Sequence, residues 1–196
     1  HRRSAREVAP LSAHEAEKAR APARRTLGRV LDVYRATRTL RKADVERAYR
    51  EGGFPMAQPE RGIITWHRPS ARAVIPIGGF HVSRSLRRTL GRGRFEATFD
   101  RDFDAVMRGC AGRPSTWISG EFLRVYGELH REGKAHSVEV WVEGQLAGGV
   151  YGVHLGGAFF AESMFHRATD MSKVALHALA ERLREFGTDD PCPDIG

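Results

Sequence analysis

Two cysteines in a chain of 196 residues, Cys110 and Cys192, allow at most one disulfide, and neither stands in a spacing that builds a zinc site. The nine histidines are scattered, with no i, i+4 pair enclosing a carboxylate, so neither a metal nor any other cofactor is expected. No apolar run approaches the ~18 residues a membrane span needs, and no apolar stretch near the start resembles a signal peptide. The expectation is a cytoplasmic protein with no membrane partner. Acidic residues are scarce at one end: the first 50 residues carry 14 Lys and Arg against 6 Asp and Glu, an excess equal to the whole formal charge of +8. Such asymmetry points to a polyanionic partner, or to a basic, weakly ordered leader over residues 1–25, where large apolar groups are also few.

What is present reads as a mixed α+β chain. Residues 27–34 could form a helix, and ADVERAYRE, 43–51, forms a clearer one, stopped by Gly52 and Gly53. GIITW, 62–66, and RAVIPI, 72–77, have the β-branched composition of short strands. Ser83 is a good N-cap for a short basic helix ending at glycines, RFEATFD alternates as a strand, and Asp102 opens the next helix. Phe122, Val125, Tyr126 and Leu129 recur at helical spacing. Residues 136–165 then read as three strands turning at Glu143-Gly144 and Gly156-Gly157, with a last helix over 172–186. An antiparallel meander flanked by helices is an α+β layer.

Three features invite chemistry. Arg84, Arg87, Arg88 and Arg92 fall on one helical face with no acids on the same helix, which suits a phosphate backbone or a plain solvated face. Trp66 and Trp117 each stand beside polar or loop-forming residues, as a stacking platform for a base would, although most tryptophans are core residues. Glu162 follows Phe159 and Phe160; a strand over 158–165 inside the sheet puts it on one face with Phe160 and Met164, desolvated unless a cation such as Lys173 or backbone donors meet it.

The segments HVSRSLRRTLGRGRFEATFDRDFDAVMRGCA, STWIS, AHSVEVW, GQLAGGVYGVHLGGAFFAESMFHR and SKVAL, in that order and spacing, resemble the bacterial leucyl/phenylalanyl-tRNA protein transferase family over residues 40 to about 186. AYREGGFPM resembles a further family segment, with Met56 where tryptophan is usual. The resemblance implies an enzyme, an aminoacyl-tRNA-protein transferase. It moves Leu or Phe, sometimes Met, from charged tRNA to the α-amine of proteins beginning with Arg or Lys, marking them for degradation by the N-degron route. It implies a GCN5-related N-acyltransferase domain over 80–196 behind a small α/β domain over 26–79; a monomer is expected. It also implies that Arg84, Arg87, Arg88 and Arg92 hold the acceptor stem while Trp66 and Trp117 flank the terminal adenosine. Val150, Phe160, Met164, Leu176, Leu179 and Leu183 would then line the amino-acid pocket, with catalytic Glu162 at its mouth.

Two departures stand out. One aromatic of the family's tryptophan pair is His67 here, an imidazole that could still stack. The family's later strand with an Asp-x-Gln motif has no counterpart in EFGTDDPCPDIG, which holds Asp189 and Asp190 but no glutamine. C-terminal strands therefore read as missing, and the alternative is a catalytically impaired tRNA-binding remnant. A second alternative, an acyl-CoA-dependent N-acetyltransferase, needs a pyrophosphate-binding turn from strand into helix. The nearest match, Gln145 to Val150, leads into another strand.

Overall fold

The computed structural model describes residues 33–186, and within them two antiparallel sheets and five α-helices. The expected leader over 1–25, the helix reading of 27–32, Cys192 and the tail from 187 lie outside the described residues. The described residues divide into two compact units, 33–72 with 117–121, and 73–116 with 122–186. The division expected at 79 and 80 falls in the same connecting segment, 68–83, which holds neither helix nor strand.

In the smaller unit, strand β1 (Val33–Thr37), helix α1 (Lys42–Arg50), β2 (Phe54–Gln58) and β3 (Ile63–His67) follow in order, and the sheet runs β1-β3-β2. Tyr34 therefore belongs to a strand and not to the expected helix. β2 is an edge strand, the place where a sheet tolerates Pro55, which has no N–H to donate. Residues 117–121 join this unit through Trp117, whose carbonyl accepts from Ala57 N at 3.3 Å, and Glu121, whose Oε1 accepts from Leu40 N at 3.4 Å.

The larger unit opens with α2 (Arg84–Arg92), β4 (Glu96–Phe99), α3 (Phe103–Ala111) and α4 (Gly120–Arg131), whose first two residues count with the smaller unit. β5 (Ala135–Val142), β6 (Gln145–Leu155), β7 (Ala158–His166) and α5 (Met171–Phe186) complete it, and the sheet is a simple meander, β4-β5-β6-β7. The caps act as the sequence suggests: Ser83 Oγ accepts from Leu86 N, and Asp102 Oδ1 from Ala105 N at 2.9 Å. Glu143 and Gly144 turn the first hairpin with φ of 51° and 73°.

RAVIPI forms no strand. Val74, Ile75 and Ile77 are exposed, Val74 at 80%. A β-branched run becomes a strand only against a partner, and here none is offered; Pro76 withdraws an N–H and Gly78 turns the chain at φ 83°.

Helices cover both faces of the larger sheet. On one side Val138, Val140, Val150, Val174, Ala175 and Leu179 form a buried cluster with α5, joined by Leu86 of α2. On the other, Tyr151 meets Phe103 and Tyr126 edge-on, 6.0 and 5.9 Å between ring centres. β6 lets both layers close in because it carries glycines between them: a Cβ on Gly148 would stand 2.7 Å from Met171 Cβ, and one on Gly149 3.0 Å from Val106 Cγ2. Two bulges break the ladders. Ala147 is the extra residue of β6 against β5, and its carbonyl accepts from Arg167 N at 2.7 Å; Glu162 is the extra residue of β7 against β6.

Glu139 is fully buried on β5, yet its carboxylate is well supplied with donors: Ser137 Oγ at 2.5 Å, Thr98 Oγ1 at 2.7 Å and Arg101 N at 3.2 Å. Gln at this position turns an amide N–H₂ toward one of these donors, so Glu139→Gln lowers stability by about 1–3 kcal/mol, read from the urea midpoint.

Candidate functional site

α2 is amphipathic. Leu86 is buried, Leu90 packs on the same cluster, and Phe80 just before the helix stacks on His177 of α5 at 5.6 Å. Away from that face Arg84, Arg87, Arg88 and Arg92 spread over an arc of about 140° at 100° per residue. All four are exposed, as is Arg94. Elsewhere seven arginines bond an acid: Arg35 and Arg47 bond Asp44, Arg68 bonds Glu51, Arg101 bonds Glu96, Arg108 bonds Asp104, Arg124 bonds Glu128 and Arg184 bonds Glu181. Among the described residues the arginines of α2 and Arg94 pair with no carboxylate. The helix thus offers unneutralised guanidinium groups on one face, with its own positive terminus adding to their field.

Glu162 is placed differently from the expectation. The register runs Ser163 to Tyr151 and Ala161 to Gly152, so Glu162 is the extra residue of a bulge and is only half-buried. The bulge reverses the alternation along β7. Phe160 pairs with Val153 and Met164 with Val150, and positions 150 and 153 point to opposite faces, so Phe160 and Met164 do not share one. Phe159, opposite His154, takes the α5 side and packs against its cluster. Lys173 bonds Asp170 at 2.8 Å rather than Glu162.

Of the expected pocket residues, Val150 and Leu179 are core, 1% and 3% exposed, while Leu176 and Leu183 pack partly exposed on the same cluster. Met164 lies on that side of the sheet, 41% exposed. The cluster around α5 therefore holds Val150, Leu176, Leu179 and Leu183 together with Phe159, while Met164 shares that side of the sheet without being part of the cluster.

Trp66 is completely enclosed. Its indole N–H donates to Thr37 Oγ1 at 3.0 Å and Arg35 lies over the ring at 5.4 Å, so it presents no open face for a base. His67 is likewise used internally, stacked on Phe54 and bonded to Thr65 Oγ1 at 2.8 Å. Trp117, in the same unit, is half-buried. Gln145 to Val150, the nearest match to a pyrophosphate loop, is the start of β6 and lies between β5 and β7, so its amides serve the ladders. Among the described residues no three His, Cys, Asp or Glu side chains gather as metal ligands, and no helix is long and apolar enough to cross a membrane.

Sequence reasoning passed over Asp170. Its φ of 67° is left-handed, a conformation Asp tolerates better than most residues, and its carboxylate accepts from Lys173 Nζ and from Thr89 Oγ1 of α2 at 3.3 Å. The Lys173 hydrogen bond is the main cause holding this carboxyl below its ordinary 3.8. A folded-state value below the unfolded one adds stability that is present above 3.8 and lost as pH falls through the folded value. Acidification below about pH 4 is therefore expected to lower the thermal midpoint, and Asp170→Asn to remove that part of the decline.

A family model described as leucyl/phenylalanyl-tRNA protein transferase matches residues 74–190. The leucyl/phenylalanyl-tRNA–protein transferase of Salinibacter ruber is 52% identical over 141 residues, 72% of this chain and 62% of the relative. That of Rubrobacter xylanophilus is 56% identical over 140 residues, 71% and 73% respectively, and that of Ruegeria pomeroyi 53% identical, 71% and 67%. The matched stretch thus spans roughly two thirds of these relatives' length. On sequence, and with the meander and basic helix both lying inside the matched stretch, this chain belongs to the leucyl/phenylalanyl-tRNA protein transferase family.

Proposed function

We propose that the chain moves Leu or Phe, and to a lesser extent Met, from aminoacyl-tRNA to the α-amine of proteins that begin with Arg or Lys, and so feeds N-degron-dependent degradation. The observation that carries the reading is the row of arginines on α2, exposed and without carboxylate partners among the described residues, within a chain of this family. Such a row suits the phosphates of an acceptor stem. The antiparallel meander with helices on both faces supports a GCN5-related acyltransferase fold.

The chemistry asks little of the protein. An aminoacyl ester is already activated, and an α-amine titrates near ~7.7–8.0, so a usable share is unprotonated at neutral pH. The amine attacks the ester carbonyl, a C–N bond forms, the C–O bond to the ribose breaks, and the amine's proton ends on the ribose hydroxyl. Glu162, lifted out of the ladder by its bulge and half-buried, orients the incoming amine, takes up its proton as it attacks and passes that proton to the leaving ribose oxygen. Met164, Leu176 and Leu183 give the aminoacyl side chain an apolar surface over the core residues Val150 and Leu179. Trp66 serves the small sheet.

The test is incubation of the full chain with labelled Phe-tRNA and an Arg-initiated peptide. Label should reach the peptide, and Glu162→Gln should slow transfer by about a hundredfold without weakening Phe-tRNA binding. Binding without transfer would favour a tRNA-binding protein, and no binding together with an upward thermal shift by acetyl-CoA would favour an N-acetyltransferase.

A further inference from the structure

α2 is joined to the rest of its unit chiefly by apolar contact. Leu86 and Leu90 sit in the cluster that holds Val174 and Ala175, and Phe80 stacks on His177. Such contacts hold a helix down without fixing its rotation closely, because apolar burial is non-directional. A directional bond can fix it, and among the described residues one side-chain hydrogen bond runs from α2 to another part of the unit: Thr89 Oγ1 to Asp170 Oδ2, across 81 positions of sequence. Arg87 reaches only Val82 O, at the helix's own start.

Asp170 is well placed to be the fixed end of that bond. Its carbonyl accepts from Lys173 N and Val174 N, both at 2.9 Å, which ties it to the first turn of α5. Lys173 Nζ holds the other carboxylate oxygen at 2.8 Å. Thr89, on the helix wheel, lies between exposed Arg92 and buried Leu86, at the border of the arginine face.

We infer that Asp170 is a positioning residue: through Thr89 it sets the rotation of α2 about its axis, and so where the guanidinium groups of Arg88 and Arg92 meet a phosphate backbone. This rests on the reading of α2 as the RNA-binding helix. Because Asp170 follows β7 by a short turn, the same residue keeps the arginine face in register with the strand that carries Glu162.

The experiment measures binding of an RNA hairpin ending in single-stranded CCA by the full chain, with thermal midpoints as a check on folding. Thr89→Val should weaken binding about three- to tenfold, the scale of one hydrogen bond, with an unchanged salt slope. Thr89→Ser should bind like the parent, and Thr89→Val with Asp170→Asn no worse than the weaker single variant. Amide hydrogen exchange at residues 87–92 should quicken in Thr89→Val. Parent-like binding by Thr89→Val, additive losses in the double variant, or a loss that Ser does not rescue overturns the inference. Arg88→Ala separates the two ideas. If it binds like the parent, α2 is not the RNA-binding helix, and exchange at 87–92 alone decides whether Asp170 holds α2.

Discussion

Alanine at Arg84, Arg88 and Arg92 together lowers affinity for Phe-tRNA by on the order of a hundredfold at low salt, since each lost phosphate contact is worth about 1 kcal/mol and three make about 3. The magnitude follows from what these groups do in the free protein. They bond no carboxylate among the described residues, so binding RNA breaks no ion pair, and their loss costs the fold little. The slope of log affinity against log salt should also become shallower by about 2–3, because each neutralised phosphate contributes about 0.7–0.9. Alanine at Arg108 and Arg124, which already bond Asp104 and Glu128, should change affinity less than about twofold. A triple variant that binds like the parent removes the basis for assigning RNA to α2.

Alanine at Gly148 or Gly152 costs about 3 kcal/mol or more, at the upper end for overpacking, and lowers the thermal midpoint by roughly 6–12 °C. Neither glycine has a positive φ; the obstacle is space. A Cβ on Gly148 would stand 2.7 Å from Met171 Cβ and 2.9 Å from its carbonyl carbon. A Cβ on Gly152 would stand 2.3 Å from Phe160 O and 2.4 Å from Phe159 Cε1. In both cases a backbone atom must move, so β6 has to shift against α5 or β7. Gly91 is the control: it is helical, with open space around its Cβ position, so Gly91→Ala should stabilise by about 0.5–1 kcal/mol. Urea midpoints of the three variants check the set.

What the sequence made legible was mostly local. Ser83 and Asp102 mark their helices because an N-cap oxygen must sit where the first amides need it, and Glu143-Gly144 marks its turn because two positive φ values are required there. β1 and β2 were not legible. β1 reads VYRAT, with a polar residue where alternation should help, and β2 contains a proline that only an edge position allows. RAVIPI carried the strand signal without a neighbour to pair with, and pairing is not a property of one segment.

The site followed the same division. The arginine face of α2 could be read from spacing alone, whereas the apolar side chains of α5 came only with the family resemblance. The bulge at Glu162 could not, because it exists only in the register of β7 against β6. Nothing in AFFAESMF shows that Phe160 and Met164 part company. A carboxylate that the strand pattern would bury is instead brought half into solvent by one extra residue. Asp170 escaped notice because its partner, Thr89, lies 81 positions away.

The excursion of residues 117–121 into the smaller unit changes what a cut in the exposed stretch around Val74–Ile77 would do. A protease nick there severs the peptide link, but the fragment that ends near residue 74 still has Ala57 N bonded to Trp117 O and Leu40 N to Glu121 Oε1, both of which remain on the other fragment. The two pieces stay clasped, so nicked protein should co-elute under native conditions and separate only in denaturant.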